Sequence, residues 1–172
     1  DLLYADVEQP HGVEPDRVLD LYAGTGSIGI EALSRGAIWA DFVDQSAAAC
    51  TVIRANLVHT KYRDVSRVHQ LPVAVFLNRP EPPYDLITLD PPYAGPEIAP
   101  PIGRVGAAAW VKSDTIVDVG HSPRVTLPDQ LGRLNRLRLR CHGDSCFSIY
   151  ETNGEAADSE DADSDDAGDL PG

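Results

Sequence analysis

"RVLDLYAGTGSIGIEALSRGA", residues 17–37, is the stretch that decides the fold. Its first six residues, 17–22, form an apolar run of the kind that builds a buried strand. Residues 27–37 then place Ile28, Ile30, Leu33 and Ala37 on one face of a helix. A glycine-rich turn joins the two segments. The stretch therefore predicts a strand followed directly by a helix.

Strand and helix patterns continue to alternate beyond this unit. Residues 45–60 predict a helix that begins after Ser46 as its N-cap. Residues 133–152 predict a closing hairpin around the turn "HGD". Further strands are predicted at 40–44, 66–71, 84–90 and 114–120. Alternation of this kind that ends in a hairpin predicts an α/β fold with an open, mostly parallel sheet and one antiparallel strand.

Charge is unevenly distributed along the chain. The chain has 172 residues and a net charge of −13, and the stretch from residue 155 onward holds eight acidic residues and no basic one. We therefore predict a folded domain over residues 1–153 and a disordered acidic tail over 154–172. Without the tail, 19 acidic side chains face 14 lysines and arginines. This balance argues mildly against a large nucleic-acid footprint.

The cysteines and the hydropathy exclude several classes of protein. Cys50, Cys141 and Cys146 are odd in number and lack metal-ligand spacing, so we expect free thiols, no disulfide and no metal site. No stretch approaches the ~20 apolar residues that cross a bilayer, and the first residues lack the order of a signal peptide. We therefore expect a cytoplasmic protein without membrane contact.

The segment "RLNRLRLRC", residues 133–141, alternates arginine with apolar residues. A regular strand would place Arg136, Arg138 and Arg140 on one face. Two interpretations remain open for this face. It is either an ordinary solvated surface of the sheet or a patch that contacts phosphate groups.

Two features at strand ends indicate a nucleotide-like ligand. Gly24, Gly26 and Gly29 form a G-x-G-x-x-G at the first strand-to-helix turn, where a ligand can approach the backbone closely. Asp44 ends the second strand, where a carboxylate can accept hydrogen bonds from both ribose hydroxyls. Asp44 is alternatively only an acid at a helix N-terminus. Together these features suit either a dinucleotide or S-adenosylmethionine.

"DPPY", residues 90–93, favours S-adenosylmethionine over a dinucleotide. An exocyclic amine on a nucleobase is a poor nucleophile, and its methylation requires acceptors for its N–H groups. The Asp90 carboxylate and the Pro91 carbonyl supply two acceptors, and the prolines Pro91 and Pro92 stiffen them. Tyr93 supplies a ring on which a base can stack. The alternative is a strand-ending turn without chemistry.

These segments, with "FVDQS" (42–46) and "HGDSCFSIYE" (142–151), resemble the bacterial 16S ribosomal RNA guanine-N2 methyltransferases. The resemblance implies a class I methyltransferase fold, Rossmann-like, with a seven-stranded, mostly parallel sheet and an antiparallel C-terminal hairpin. It implies a monomer that binds S-adenosylmethionine and modifies a guanine of 16S rRNA or of the small ribosomal subunit. Asp90, Pro91, Pro92 and Tyr93 would hold the guanine. The cofactor would be bound by Asp20, Ala23, Gly24, Gly26, Gly29, Asp44 and Leu71.

The sequence departs from the family pattern at four places. The chain starts about 16 residues before its first strand, so the basic N-terminal arm of the family is expected to be missing. Leu71 and Pro72 stand where the family tends to have an acid near the adenine. Gly120 replaces an acid and leaves His121 without that partner. The prolines and glycines after Tyr93 predict a partly ordered lid instead of a regular helix.

Two alternatives to an active RNA methyltransferase remain open from the sequence. A DNA adenine-N6 methyltransferase would use the same Asp-Pro-Pro-Tyr chemistry. A truncated, non-catalytic relative would keep the fold and the cofactor site without the reaction.

Overall fold

The computed structural model describes residues 15–92 and 96–152. Both ends of the predicted domain 1–153 and the whole of the predicted tail 154–172 lie outside these residues. The strands are β1 (Arg17–Leu21), β2 (Trp39–Asp44), β3 (Ser66–Gln70), β4 (Tyr84–Leu89), β5 (Val111–His121), β6 (Gln130–Leu131), β7 (Leu134–His142) and β8 (Ser145–Thr152). The helices are α1 (Ser27–Ser34), α2 (Ala47–Thr60), α3 (Val73–Phe76) and α4 (Ala99–Gly106). Short 3₁₀ turns cover Arg63–Val65 and Pro96–Ile98.

One sheet with the strand order β3-β2-β1-β4-β5-β8-β7-β6 organises the described residues. Strands β1 to β5 run parallel, and β8 lies antiparallel between β5 and β7. The predicted α/β fold with a closing hairpin is confirmed. The sheet has eight strands instead of seven, because the two-residue strand β6 adds to the edge beside β7. A strand of two residues is too short to show an alternation of apolar and polar residues in the sequence.

Apolar side chains cover both faces of the sheet. Phe42 and Ile53 are fully buried on the face that carries α1 and α2. Phe76 and Ile102 are fully buried on the face that carries α3 and α4. Burying one large apolar side chain contributes about 1.5–3 kcal/mol to the free energy of folding. The two clusters therefore stabilise the sheet whose strand ends carry the candidate site.

Helix α2 begins where the sequence predicts it. Ser46 is the N-cap, and its hydroxyl oxygen accepts a hydrogen bond from the backbone N–H of Ala49 at 3.2 Å. The helix ends at Thr60, and its C-cap Lys61 adopts the left-handed conformation with φ 66°. The cap satisfies one of the orphan N–H groups of the first turn and fixes the position of α2 directly after β2.

The expectation of a lid after Tyr93 is wrong for residues 96–106. A 3₁₀ turn and then α4 occupy this segment, and α4 buries Ile102 and Val105 against the core. Pro100 and Pro101 lie in the first helical turn, where the missing N–H groups would have no helical partner in any case. The prolines therefore start the helix instead of breaking it. Residues 93–95 lie outside the described residues.

The expectation of three free thiols is also wrong. Cys141 and Cys146 form a disulfide, and only Cys50 is a free buried thiol among the described residues. The two cysteines are opposite each other in the hairpin, one pair before the pair that closes the turn. Directly opposite residues of adjacent antiparallel strands lie close together, so the hairpin brings together two cysteines whose sequence spacing gives no such signal.

Strand β7 contains a bulge that changes which way its arginines point. The register shifts between Arg136 and Arg138, so that Arg136 lies opposite Tyr150 and Arg138 lies opposite Ile149. Tyr150 and Ile149 are successive residues and point to opposite faces. The prediction that Arg136, Arg138 and Arg140 share one face is therefore wrong. Only Arg138 and Arg140 share a face.

Candidate active site

A cleft opens at the carboxyl ends of the central strands. Strands β1 and β4 are hydrogen-bonded neighbours, with Leu21 opposite Leu89. The glycine turn after β1 and the Asp-Pro-Pro segment after β4 therefore leave the sheet side by side. The cleft has a volume of about 340 Å³ and is lined by Tyr22, Asp44, Gln45, Pro72, Val73, Ala74, Asp90 and Pro92. This size lies within the range of small-molecule sites.

The glycine turn is built from residues with left-handed backbone conformations. Tyr22, Gly24 and Gly26 have φ values of 58°, 57° and 76°. The N–H of Gly26 donates to the carbonyl of Ala23 at 2.7 Å, and the N–H of Ala23 donates to the carbonyl of Val43 at 3.1 Å. The turn is thus a tight loop that is tied to β2. Its glycines are required by the backbone whether or not a ligand is bound.

Asp20 lies beneath this turn and is almost fully buried. Its carboxylate accepts hydrogen bonds from the N–H of Gly29 at 3.0 Å and from the hydroxyl of Thr88 at 3.3 Å. Gly29 is needed at this point because an added Cβ would lie 2.4 Å from the ring of Phe42. The predicted contact between Asp20 and a cofactor stays a prediction. In the structure Asp20 shapes the turn from below.

Asp44 ties three segments together at the mouth of the cleft. One carboxylate oxygen accepts from the N–H of Gly24 at 3.0 Å, and the other accepts from the N–H of Ser46 at 2.8 Å. Each carboxylate oxygen has two acceptor positions, so both can still accept from a ligand hydroxyl. The two sequence interpretations of Asp44 are therefore compatible. It stabilises the start of α2 and it also faces the cleft.

Leu71, which is predicted to bind the cofactor, is not among the residues that line the cleft. Leu71 donates its N–H to the carbonyl of Asp44 at 3.1 Å, while its side chain packs against the core. The following residues, Pro72, Val73 and Ala74, line the cleft instead. Sequence reasoning did not name them as binding residues, because they form the start of α3, a helix of only four residues that no pattern indicates.

Asp90 and Pro92 form the opposite wall. The side chain of Asp90 is open to the cleft, but the surrounding atoms exclude enough water to raise its pKa above the ordinary value. Pro91 is buried and Pro92 is exposed. Tyr93 lies outside the described residues, so its stacking role stays a prediction. The structure thus brings Asp90 and Asp44 to the same cleft.

Asp118 is a site residue that sequence reasoning missed. It lies on β5 directly opposite Thr88, is only 5% exposed, and one of its carboxylate oxygens is buried without a hydrogen-bond partner. Burial, and to a smaller extent repulsion from the Asp90 carboxylate, raises the pKa of Asp118 to about 7. Burial likewise raises the pKa of Asp20 to about 7. A signal existed in "TIVDVG", where one acid interrupts an apolar strand.

Gly120 and His121 stand at the end of β5. A Cβ added at Gly120 would lie 3.2 Å from a carboxylate oxygen of Asp90, so the glycine leaves room for that side chain. His121 is not left without a partner, since its Nε2 lies 2.9 Å from the hydroxyl of Ser148 and its Nδ1 lies 3.0 Å from the carbonyl of Ser122. His121 is therefore held by β8 instead of by an acid at position 120.

Comparison with known proteins identifies the family of the chain. Residues 5–151 match the family described as Conserved hypothetical protein 95. The chain belongs to this family. This confirms the resemblance to the 16S rRNA guanine-N2 methyltransferases that the sequence motifs carry.

Two relatives and one solved structure illustrate the membership. A Bacillus subtilis protein named as an rRNA methyltransferase is 31% identical over 80% of this chain and 77% of its own length. The Ribosomal RNA small subunit methyltransferase D of Escherichia coli is 26% identical over 84% of this chain and 72% of its own length. A solved Streptococcus pyogenes structure, described as a conserved hypothetical protein, is 28% identical with a TM-score of 0.74, covering 80% of this chain and 86% of that one.

Proposed function

We propose that this protein is an S-adenosylmethionine-dependent methyltransferase that methylates the exocyclic N2 amine of a guanine in 16S ribosomal RNA. One observation carries the proposal: Asp44 and Asp90 line a single cleft at the carboxyl ends of β2 and β4, the two strands that flank β1. A carboxylate that suits ribose hydroxyls and a carboxylate that suits a planar amine thus face the same space. Membership in the rRNA methyltransferase family supports the choice of substrate.

The residues of the cleft fit the cofactor. S-adenosylmethionine supplies an electrophilic methyl group on a positively charged sulfonium. Asp44 offers acceptors for the ribose hydroxyls, and the backbone of Gly24 is exposed beside it. Pro72 and Ala74 supply a wall of small apolar atoms. Asp90 faces the same cleft, so the local field of the Asp44 and Asp90 carboxylates favours a cation.

Asp90 and Pro91 are proposed to orient the target amine. The Asp90 carboxylate and the Pro91 carbonyl accept its two N–H groups, which directs the nitrogen lone pair toward the methyl group. These hydrogen bonds strengthen as positive charge develops on the nitrogen. The proton that the amine then loses is accepted first by Asp90. The raised pKa of Asp90 makes it a better base than an ordinary surface carboxylate.

The two alternatives from the sequence make different claims about the substrate and the reaction. Adenine N6 in DNA could bind the same acceptors, but the curated relatives are named for ribosomal RNA. A non-catalytic relative would keep the cleft for the cofactor but would not need Asp90 on its wall. The experiment below therefore includes a DNA substrate and an Asp90 variant.

The experiment measures transfer of labelled methyl groups from S-adenosylmethionine to unmethylated small ribosomal subunits, to free 16S rRNA and to duplex DNA. We expect label on guanine N2 of RNA only. Replacing Asp90 by Ala should lower kcat at least about 100-fold, because a group that stabilises the transition state is lost. Cofactor binding should change little. Asp114→Ala is the matched control, since Asp114 is exposed at the amino-terminal half of β5, away from the cleft.

Two results would contradict the proposal. Label on DNA adenine would overturn the substrate assignment. An Asp90→Ala variant that keeps most of the wild-type rate would overturn the role of the clamp.

We also propose where and in what form the protein acts. A methyltransferase for 16S rRNA would work in the cytoplasm, as a monomer, on the small ribosomal subunit or on its RNA. None of the helices in the described residues is long and apolar enough to cross a membrane. Sedimentation of the protein alone and with small subunits would test both the monomer and the partner.

A further inference from the structure

The cleft itself is poorly suited to hold an RNA backbone. Asp44 and Asp90 line it, and Asp20 and Asp118 lie just behind its floor. The carboxylates of Asp44 and Asp90 favour a cationic cofactor but repel phosphate groups. An RNA strand that delivers a guanine to Asp90 therefore needs cationic contacts outside the cleft.

Two rows of paired residues connect Asp90 to the arginines of β7. In one row, Asp118 lies opposite Ile149, which lies opposite Arg138. In the next row toward the cleft, Gly120 lies opposite Phe147, which lies opposite Arg140. Residues directly opposite each other point to the same face of a sheet.

Arg138 and Arg140 are consequently on the same face as Asp90. The side chain of Asp90 lies over Gly120, at the start of the second row. From Gly120 to Arg140 is a distance of two strand spacings, which is about 10 Å. The long arginine side chains can shorten this distance further, so they lie within reach of the nucleotides that adjoin a guanine bound at Asp90.

The bulge separates these two arginines from the third. Arg136 points to the other face, where its guanidinium donates to the carbonyl of Leu127 at 3.0 Å and forms an ion pair with Asp129. Its charge is used within the fold. Arg138 is exposed, and Arg140 and Phe147 are partly exposed, so the face beside Asp90 presents both cations and an aromatic ring to solvent.

The charges on this face are ordered along the strands. Glu151 lies opposite Ile116, at the end of the face away from the cleft, and the exposed Asp144 lies at the hairpin turn. The arginines lie between them, level with the end of β5. A planar guanidinium binds phosphate oxygens in pairs, and an aromatic ring stacks with any base. Charge complementarity thus favours a nucleic acid backbone as the occupant.

We propose that Arg138, Arg140 and Phe147 form a binding track for the RNA strand that flanks the target guanine, with the arginines on its phosphates and Phe147 against an unpaired base. The proposal rests on the proposed function, since it takes RNA as the substrate. It assigns a purpose to the bulge in β7. Without the bulge the three arginines would not be divided between the two faces.

The test compares two double variants of equal charge. Arg138→Gln with Arg140→Gln removes the track, whereas Arg63→Gln with Arg67→Gln removes two exposed arginines at the opposite edge of the sheet. Binding to 16S rRNA is measured over a range of salt concentrations, and KM and kcat are measured with unmethylated small subunits. Thermal unfolding and cofactor binding are measured for each variant.

We expect the track variant to reduce the slope of log affinity against log salt by about 1.4, because each lost single-strand phosphate contact accounts for about 0.7. Its KM for the small subunit should rise about tenfold, with kcat and cofactor affinity unchanged. Arg138→Lys with Arg140→Lys keeps the charges and should recover most of the slope. The control pair should change the slope by less than half as much.

Other outcomes would overturn the track. Equal losses in both double variants would mean that general basic charge, and not this face, binds the RNA. An unchanged slope in a folded track variant would mean that the arginines are an ordinary solvated surface. If the wild-type protein transfers no methyl group, the proposed function is wrong. The salt dependence of RNA binding would still show whether Arg138 and Arg140 contact the RNA.

Discussion

At the scale of single residues, the most informative side chain is Asp118. Its carboxyl group is nearly buried, lacks a partner on one oxygen, and has a pKa raised to about 7 by burial and by Asp90. A carboxyl whose pKa is higher in the folded state than in the unfolded state must take up a proton on folding. The contribution of Asp118 to the free energy of unfolding therefore decreases as the pH rises from about 4 to about 7.

We predict that Asp118→Asn removes part of the pH dependence of stability. The wild-type free energy of unfolding should fall between pH 5 and pH 8, and Asp118 should account for at most about 3 kcal/mol of this fall. The free energy of unfolding of the Asn variant should fall by correspondingly less over the same pH range. Urea denaturation at both pH values measures the difference.

Asp64→Asn serves as the control for this prediction, because Asp64 is exposed in the turn after α2. The free energy of unfolding of this variant should fall between pH 5 and pH 8 by as much as that of the wild type. A fall of the same size in the Asp118 variant would mean that Asp118 is already ionised in the folded protein near pH 5.

The residue scale also shows how far the sequence could identify the site. Asp44 and Asp90 were predictable because each follows an apolar strand, and the ends of parallel strands meet at one edge. Asp118 carries a signal as a lone acid in an apolar strand, but its position beside Thr88 and Asp90 follows only from the pairing of β4 with β5. Pro72 to Ala74 were missed because only the folded chain brings the start of α3 over the end of β2.

At the scale of elements, the packing of α1 on β2 depends on Gly29. The helix begins at Ser27, and the absence of a side chain at Gly29 lets it approach the ring of Phe42. The same approach brings the N–H of Gly29 to Asp20. The glycine turn therefore keeps its shape only if the helix stays close to the sheet.

We predict that Gly29→Ala destabilises the protein by about 1–3 kcal/mol, because the new Cβ overlaps a buried ring that cannot move away freely. Affinity for S-adenosylmethionine should also fall, since the turn would shift. Chemical denaturation and calorimetric binding measure the two effects.

Gly103→Ala is the matched control, because nothing lies within 4 Å of a Cβ added there and Gly103 is in helix α4. It should be neutral or stabilise by about 0.5–1 kcal/mol through helix propensity. Equal stability of the two variants would show that Phe42 has room to move.

Elements whose signals are local were predictable, and elements that depend on distant partners were not. The Ser46 cap and the alternation of strands and helices lie within short stretches of sequence. Three features depend on what a neighbouring segment does: the two-residue strand β6, the disulfide between Cys141 and Cys146, and the start of α4 at Ala99. A rule based on the number of prolines therefore misjudged α4.

At the scale of the whole molecule, the strand order places β1 between β2 and β4. The cofactor would bind across three strand ends, so it would connect segments that are far apart in the chain. A ligand that binds only the folded state stabilises it by mass action.

We predict that S-adenosylmethionine at 100 times its dissociation constant raises the melting temperature by about 5–10 °C, which corresponds to about 2.7 kcal/mol. Asp44→Ala should lose most of this increase at the same ligand concentration. Differential scanning fluorimetry with and without the ligand measures it for each protein.

Asp64→Ala is the control and should keep the full increase. An Asp44 variant that is stabilised as much as the wild type would mean that the ribose is held by other groups.

The bulge in β7 is a place where the hairpin can accept a change in chain length. Beyond it, the disulfide and the pairing with β8 fix Arg138 and Arg140, while the bonds to Asp129 and Leu127 fix Arg136 before it. Deleting the single residue Leu137 would make the strand regular and would leave Arg136 opposite Tyr150 and Arg138 opposite Ile149, so both anchored halves would keep their faces. Deleting a residue between Arg138 and the disulfide would instead force part of the strand to turn over.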